Sequence, residues 1–267
     1  MEFGVAHPVV EMPAPVAHAS VSRLQPTVNV ITTPKTLQCD TVIISDVHLG
    51  SKVSRRDELL DALKSWYPFR RLIILGDLFE NLDFSRLNSK DFEVLDVLRE
   101  LSNRPDLDVD WIEGNHDENG HELIERLIGC NTHDEMVFDL YDRGYLLMHG
   151  HQFDQFLQKH PRIGLIAGNI YNAVQVREGH ERRLSRWLKK KSKKWLKVCQ
   201  KVERLAVNHA ERFGVDYILC GHTHYFDAEL ADPDNPIRYI NTGCWTDQPC
   251  TLTTICREHG LRRHTYY

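Results

Sequence analysis

At 267 residues, with 42% hydrophobic and 27% charged side chains, the chain suits one large domain with an insertion and is too apolar for a disordered polypeptide. No uninterrupted apolar stretch approaches the roughly 20 residues of a spanning helix, which predicts a protein that does not cross a membrane. The net charge of -5 conceals an asymmetry: residues 155–212 carry 15 Lys+Arg against 4 Asp+Glu, or +11, leaving 18 against 34, or -16, for the rest, so the two parts have different jobs.

In chain order, residues 1–37 read as a loose tail. Ala17-His18-Ala19 resembles a signal-cleavage site, but Glu11 and three prolines break the apolar stretch that would precede it. The domain is expected over 38–267, with a basic insert at about 155–212. Thr41 to Ser45 predicts a buried strand that delivers Asp46 and His48 to its end. Ser54 is the expected N-cap of a helix from Arg55 to Trp66, with Leu59, Leu60, Leu63 and Trp66 at helical spacing. Leu72 to Leu75 is the next strand, and Gly76 then turns the chain so that Asp77 stands at the carboxyl edge of a parallel sheet.

A second helix is expected from Asp91 to Leu101 through Phe92, Leu95, Leu98 and Leu101, followed by a strand from Asp108 to Glu113 that ends in Gly114-Asn115-His116-Asp117. Strand, helix, strand, helix, strand gives an α/β fold, and right-handed crossovers bring the three loops to one edge. Met136 to Met148 predicts a hairpin turning at Asp142-Arg143-Gly144 and ending in His149. Asp216 to Cys220 predicts a strand ending in Gly221-His222-Thr223-His224, and short strands follow to Thr254, forming with the hairpin a second sheet packed on the first. Between them Leu184, Leu188, Trp195, Val198, Val202 and Leu205 keep helical spacing, interrupted by Lys191, while Arg and Lys crowd the other faces of a basic amphipathic helix.

Five loops share one grammar, an apolar run followed by metal-binding side chains. Any one alone would read as a surface feature; five in order predict a site. The donors Asp46, His48, Asp77, Asn115, His149, His222 and His224 suit two divalent ions bridged by Asp77, with Mn²⁺ first and Fe or Zn²⁺ as alternatives. Such a pair generates a hydroxide and polarises a phosphoryl oxygen, which is phosphoester hydrolysis. His149 and His151 compete for one ligand position; His149 directly follows its strand, which leaves His151 beside the ligands or facing substrate. His133, His160, His180 and His209 read as surface residues, and the seven scattered cysteines, without a Cys-x-x-Cys pair, as free thiols of a reducing cytoplasm.

The series Asp-x-His, Gly-Asp, Gly-Asn-His-Asp, His and Gly-His-x-His, in that order from Thr41 to about Ile255, resembles the calcineurin-like metallophosphoesterases. The resemblance implies an α/β fold, a four-layer α/β/β/α sandwich with a helical lid insertion. It assigns one ion to Asp46, His48, Asp77 and His224, and the other to Asp77, Asn115, His149 and His222. It makes His116 the histidine that protonates the leaving oxygen or stabilises the phosphoryl group, and Glu80 the acid that orients it, while Asp117 and Asn241 read as neighbours of ligands or substrate.

Within that superfamily Gly76-Asp77-Leu78-Phe79-Glu80, Met148-His149-Gly150, the insert and Asn241-Thr242-Gly243 look like the UDP-2,3-diacylglucosamine pyrophosphatases. That likeness implies release of UMP and an acylated sugar phosphate, and an insert that receives acyl chains. It also implies a cytoplasmic protein in peripheral contact with an anionic membrane. One position departs from it: the well-known members carry arginine where this chain has His116. Another phosphorylated nucleotide or phospholipid substrate is the second reading. A nucleic-acid-binding protein gripping a phosphate backbone through Trp187 and Trp195 is the third, opposed by the complete ligand set and the acidic remainder. No feature of the sequence sets an oligomeric state.

Overall fold

Three short runs rich in Ile, Val and Leu build the centre of the molecule: β1 (Thr41–Ile44), β2 (Arg71–Leu75) and β3 (Asp108–Ile112). They pair in parallel, Val42 with Leu72 and Ile74 with Trp111, and are buried along nearly their whole length, as strands covered on both faces must be. Helices α1 (Arg56–Trp66) and α2 (Ser89–Ser102) make the crossovers, and α3 (His121–Ile128) leads to a short β4 (Asn131–His133) beside β3. This computed structural model describes residues 39–154, 193–225 and 236–267. The expected tail, residues 155–192 of the insert with Leu184, Leu188 and Lys191, and His160 and His180 lie outside the described residues.

The second sheet has the order β5 (Glu135–Leu140), β6 (Arg143–Met148), β7 (Tyr217–Cys220) and β8 (Arg238–Asn241). The period of two along each strand separates the layers. Ile43, Ile73, Leu75, Ile112 and Ile255 face Tyr145, Leu147 and Leu219 between the sheets, while Val42, Ile44, Leu72 and Ile74 face Leu59, Leu63, Leu95 and Leu98 of the helices. On the far side Leu146, Met148, Ile218 and Tyr239 pack on Ala206, Val207 and Ala210 of α4 (Lys193–Ala210), completing helix, sheet, sheet, helix. Within α4, Val202 is buried and Trp195, Val198 and Leu205 are half-buried, so the apolar spacing read from the sequence is the inward face. Among the described residues no helix is long and apolar enough to cross a membrane.

Several local readings differ from the structure. β9 (Cys250–Cys256) and β10 (Gly260–Tyr266) join the first sheet, in the order β10-β9-β1-β2-β3-β4, and only β8 joins the second. All seven residues of β9 are buried, which suits a strand paired on both edges and covered on both faces. The hairpin turns at Tyr141-Asp142, with φ of 54° and 59°, as a two-residue turn that matches strand twist; Arg143 already pairs with Leu140. Ser54 does not cap α1, because its hydroxyl donates to the Val47 carbonyl at 2.7 Å. Helix α3 and strands β4 and β10 have no counterpart among the expected elements; α3 and β4 are short, β4 is held by pairing with β3, and β10, beyond Thr254, by pairing with β9.

Helix α2 begins at Asn88 with a reciprocal cap: the Asn88 side chain accepts from the Asp91 N–H, and Asp91 Oδ2 accepts from the Asn88 N–H at 2.9 Å. Asp91 therefore turns inward and Phe92, expected on the apolar face, is 50% exposed. The other oxygen of Asp91 accepts from Arg56 Nη1 at 3.0 Å and from the Gly50 N–H at 3.2 Å, which ties both helices to the loop that carries His48. Asp91→Ala removes one partner of a buried ion pair and is expected to cost about 3 kcal/mol. Chemical denaturation checks this, and an unchanged midpoint would show that the carboxylate anchors nothing.

Candidate metal centre

The loops after β1, β2, β3, β6 and β7 converge, and backbone bonds lock them together. The Asp46 N–H donates to the Gly76 carbonyl at 3.1 Å, the His48 N–H to the Asp77 carbonyl at 3.0 Å, and the Trp245 N–H to the Asp46 carbonyl at 3.0 Å. Asp46, His48, Asp77, His222 and His224 all have left-handed backbone, with φ of 51–59°, and make up five of the eight non-glycine residues with positive φ among the described residues. Such conformations cost energy and concentrate at functional sites.

All seven expected donors meet here. Asp46 Oδ1 is 2.8 Å from His224 Nε2 and 4.0 Å from the Nε2 atoms of His48 and His149. Asp77 Oδ2 lies 3.2 Å from His149 Nε2 and 3.6 Å from His48 Nε2, and Asn115 Oδ1 is 3.0 Å from His222 Nδ1. Three overlapping groups, Asp46/His48/His224, Asp46/Asp77/His149 and His48/Asp77/His116, each offer one ligand atom per residue within 4.8 Å of one another. The outer nitrogens are already engaged: His149 Nδ1–H donates to the Leu75 carbonyl at 2.9 Å, and His48 Nδ1 is 3.0 Å from Glu80 Oε2. Their inner Nε2 atoms are buried without a hydrogen-bond partner and face the two carboxylates. Orphaned nitrogens beside carboxylates, each ring oriented from behind, fit divalent cations.

The charges agree. Burial opposes ionisation of Asp77, yet His149 and His116 hold its carboxyl well below the usual range; at Asp46 burial is outweighed by His224 and His149. Against the opposing effect of burial, Asp77 and Asp46 push His149 up to about 9, and Cys244 and Asp46 push His224 up to about 10. Protons on these rings balance the carboxylates, and bound cations would displace them.

Around the donors, the Glu80 carboxylate lies on His48 rather than on His116; the Glu80 backbone carbonyl instead accepts from His116 Nδ1 at 2.8 Å. The His116 ring packs edge-on against His48 with centroids 4.7 Å apart. Asp117 is buried and clamps two loops, accepting from the N–H groups of Leu78, Phe79 and Gly114; burial, then Asp77, push its carboxyl up to about 7. Asn241 lies beneath the last loop, donating to the Gly221 carbonyl at 2.7 Å and to Thr223 Oγ1 at 3.0 Å. His151 lies 5.5 Å from His149 and 6.3 Å from His222, ring to ring, and burial followed by those two histidines lowers it to about 3, so the ring is neutral. The sequence reading missed Asp154, whose Oδ2 is 3.3 Å from His222 Nε2; its closeness to His149-Gly150-His151 was the only signal. His133 and His209 stay away from the site, partly exposed against Asp110 and Glu135. His121, between Glu113 and Asp134, forms a separate surface ion bridge.

Residues 40–226 match the profile of the calcineurin-like phosphoesterases. Solved structures similar to this chain include a protein of unknown function from Aquifex aeolicus, 16% identical over 76% of this chain and 89% of that one, with a TM-score of 0.43. A predicted phosphoesterase from Streptococcus pneumoniae is 14% identical over 85% and 98%, with a TM-score of 0.35. A Vps29 variant from Entamoeba histolytica is 16% identical over 85% and 99%, with a TM-score of 0.42. A search of the curated proteins gives no match.

The glycines of the motifs make room for donors from neighbouring loops. A Cβ on Gly76 would run into the His149 ring, one on Gly114 into Asp77, and one on Gly221 into the Asp46 carboxylate. Gly76 also has a φ of +78°, so Gly76→Ala meets both strain and collision. It is expected to cost more than about 1 kcal/mol and to lower the metal content of purified protein. Wild-type metal content by elemental analysis would show that the approach of His149 to Gly76 does not matter.

Proposed function

The chain belongs to the calcineurin-like phosphoesterase family and is a metal-dependent phosphoester hydrolase, and we propose that it is a two-metal enzyme cleaving a nucleotide pyrophosphate bond. In this reading Asp77 serves both ions, Asp46, His48 and His224 hold one, and Asn115, His149 and His222 hold the other. The observation that carries it is the pair of buried Nε2 atoms of His48 and His149, which lack a hydrogen bond and lie 3.6 and 3.2 Å from Asp77 Oδ2. The bound ions supply activation of water and polarisation of the phosphoryl oxygens, and the oxygen and nitrogen donors favour Mn²⁺, with Fe or Zn²⁺ as alternatives.

His116 carries the proton for the leaving oxygen. Its Nδ1–H is held by the Glu80 carbonyl, which leaves Nε2 as the reacting nitrogen. Glu80 contributes at two atoms, its carbonyl fixing His116 and its carboxylate turning His48 so that Nε2 faces Asp77.

For the substrate we favour a UDP-2,3-diacylglucosamine-type molecule, giving UMP and an acylated sugar phosphate at the cytoplasmic face of a membrane. The run Gly76 to Glu80 and the basic balance of residues 155–212 support it, since that composition offers apolar area for acyl chains and positive charge for a diphosphate. His116 favours a second reading, a phosphodiesterase or phosphomonoesterase for another nucleotide or phospholipid, because the diacylglucosamine enzymes carry arginine there.

Two measurements test these assignments. Asp77→Ala is expected to abolish turnover and lower metal stoichiometry, whereas His116→Ala should keep its metal and slow turnover by about 10²–10⁴-fold. Full turnover by His116→Ala on a substrate with a poor leaving group would remove it from the chemistry. Metal-free protein resupplied with Mn²⁺ should release UMP from UDP-2,3-diacylglucosamine; cleavage of bis(p-nitrophenyl) phosphate alone would favour the second reading.

A further inference from the structure

Resting on the two-metal reading, we infer that Asp154 is the positioning residue for His222, accepting its Nε2–H and thereby presenting Nδ1, not Nε2, to the ion shared with Asn115. His222 is reversed relative to its neighbours. In His48 and His149 the outer nitrogen is Nδ1, held by Glu80 and by the Leu75 carbonyl, and the inner one is Nε2. In His222 the inner nitrogen is Nδ1, 3.0 Å from Asn115 Oδ1, and the outer one is Nε2, 3.3 Å from Asp154 Oδ2.

The main chain of His222 lies against the site: its N–H donates to both oxygens of Asp46 at 3.2 Å, and the residue is left-handed with a φ of 59°. A neutral ring that binds an ion through Nδ1 must carry its proton on Nε2, and in a buried place that proton needs an acceptor.

Asp154 is that acceptor. It is 3% exposed, and a carboxylate behind a ligating imidazole both fixes the tautomer and strengthens the ring as a donor. On the opposite side of the ring Nδ1 lies 3.0 Å from the Asn115 side-chain amide, the other donor assigned to the same ion.

The placement of Asp154 is itself built. The one-turn helix His151–Phe153 starts at left-handed Gly150 and ends where the Asp154 N–H donates to the His151 carbonyl at 3.0 Å. Phe153 packs against the apolar cluster under α4, with its ring 5.8 Å from His209, so the turn is braced from outside the metal centre.

Metal-free wild-type and Asp154→Asn proteins titrated with Mn²⁺ alone in a calorimeter test the assignment. The wild type should take two ions; the variant should take one with unchanged affinity and the other about 10–100-fold more weakly, with the melting temperature of the metal-free protein unmoved. In the Zn²⁺-loaded wild type, long-range proton–nitrogen spectra should show His222 as the Nε2–H tautomer and His48 and His149 as Nδ1–H. Equal affinities in the two proteins, an Nδ1–H tautomer at His222, or weakening of both sites together with a fallen melting temperature would each overturn the role of Asp154. Uptake of fewer than two ions by the wild type would sink the two-metal reading, and Asp154's role with it.

Discussion

The fold depends on one buried carboxylate. Asp77 follows an almost wholly apolar strand and sits at the junction of both sheets, where an unpaired charge would be very costly. Each neighbouring loop answers it: the His116 N–H donates to Oδ1 at 2.9 Å, while His149 and His48 direct Nε2 at Oδ2. Because these partners come from three different strand ends, satisfying Asp77 also aligns the first sheet with the second. The same requirement explains the glycines, since a side chain at Gly76, Gly114 or Gly221 would occupy the space of a donor from another loop.

A second consequence is strain. Left-handed conformations in aspartate and histidine are unfavourable in isolation, yet the donors hold five of them within a few ångströms. The surrounding ladder overdetermines them: β1, β2 and β3 are locked in register, and the bonds from Asp46, His48 and Leu49 to Gly76, Asp77 and Leu78 continue that register past the strand ends. Loops held in register in this way are preorganised, which would lower the ordering cost of binding an ion.

What the sequence made legible was local. Strands ending in Asp46, Asp77, Asn115, His149 and His222 could be read because an apolar run followed by a metal-binding residue is a pattern within a few positions. The assignments that failed were those decided by distant atoms. Ser54 satisfies the rules for a cap, but the Val47 carbonyl offered a better acceptor; Phe92 keeps helical spacing, but Asp91 took the inward position to bind Arg56 and Gly50. Strands β9 and β10 carry no mark of which sheet they join, because edge pairing is a property of the assembled fold. Asp154 was invisible for the same reason: a single aspartate gains meaning only when a histidine 68 positions away turns its ring toward it.

The two carbonyl acceptors in the centre divide the histidines by task. Leu75 accepts from His149 and Glu80 from His116, yet the first ring points its free nitrogen at Asp77 while the second lies edge-on to His48 at the rim of the cluster. A carbonyl behind an imidazole fixes the tautomer without adding the full negative charge that a carboxylate would, so a ring held this way can both accept and release a proton at Nε2. For His149 the adjacent Asp77 and Asp46 oppose that release, pushing the ring up to about 9 against the effect of burial. His116 is bound to Asp77 through its backbone N–H and to the Glu80 carbonyl through Nδ1, so its main chain and its ring are both anchored.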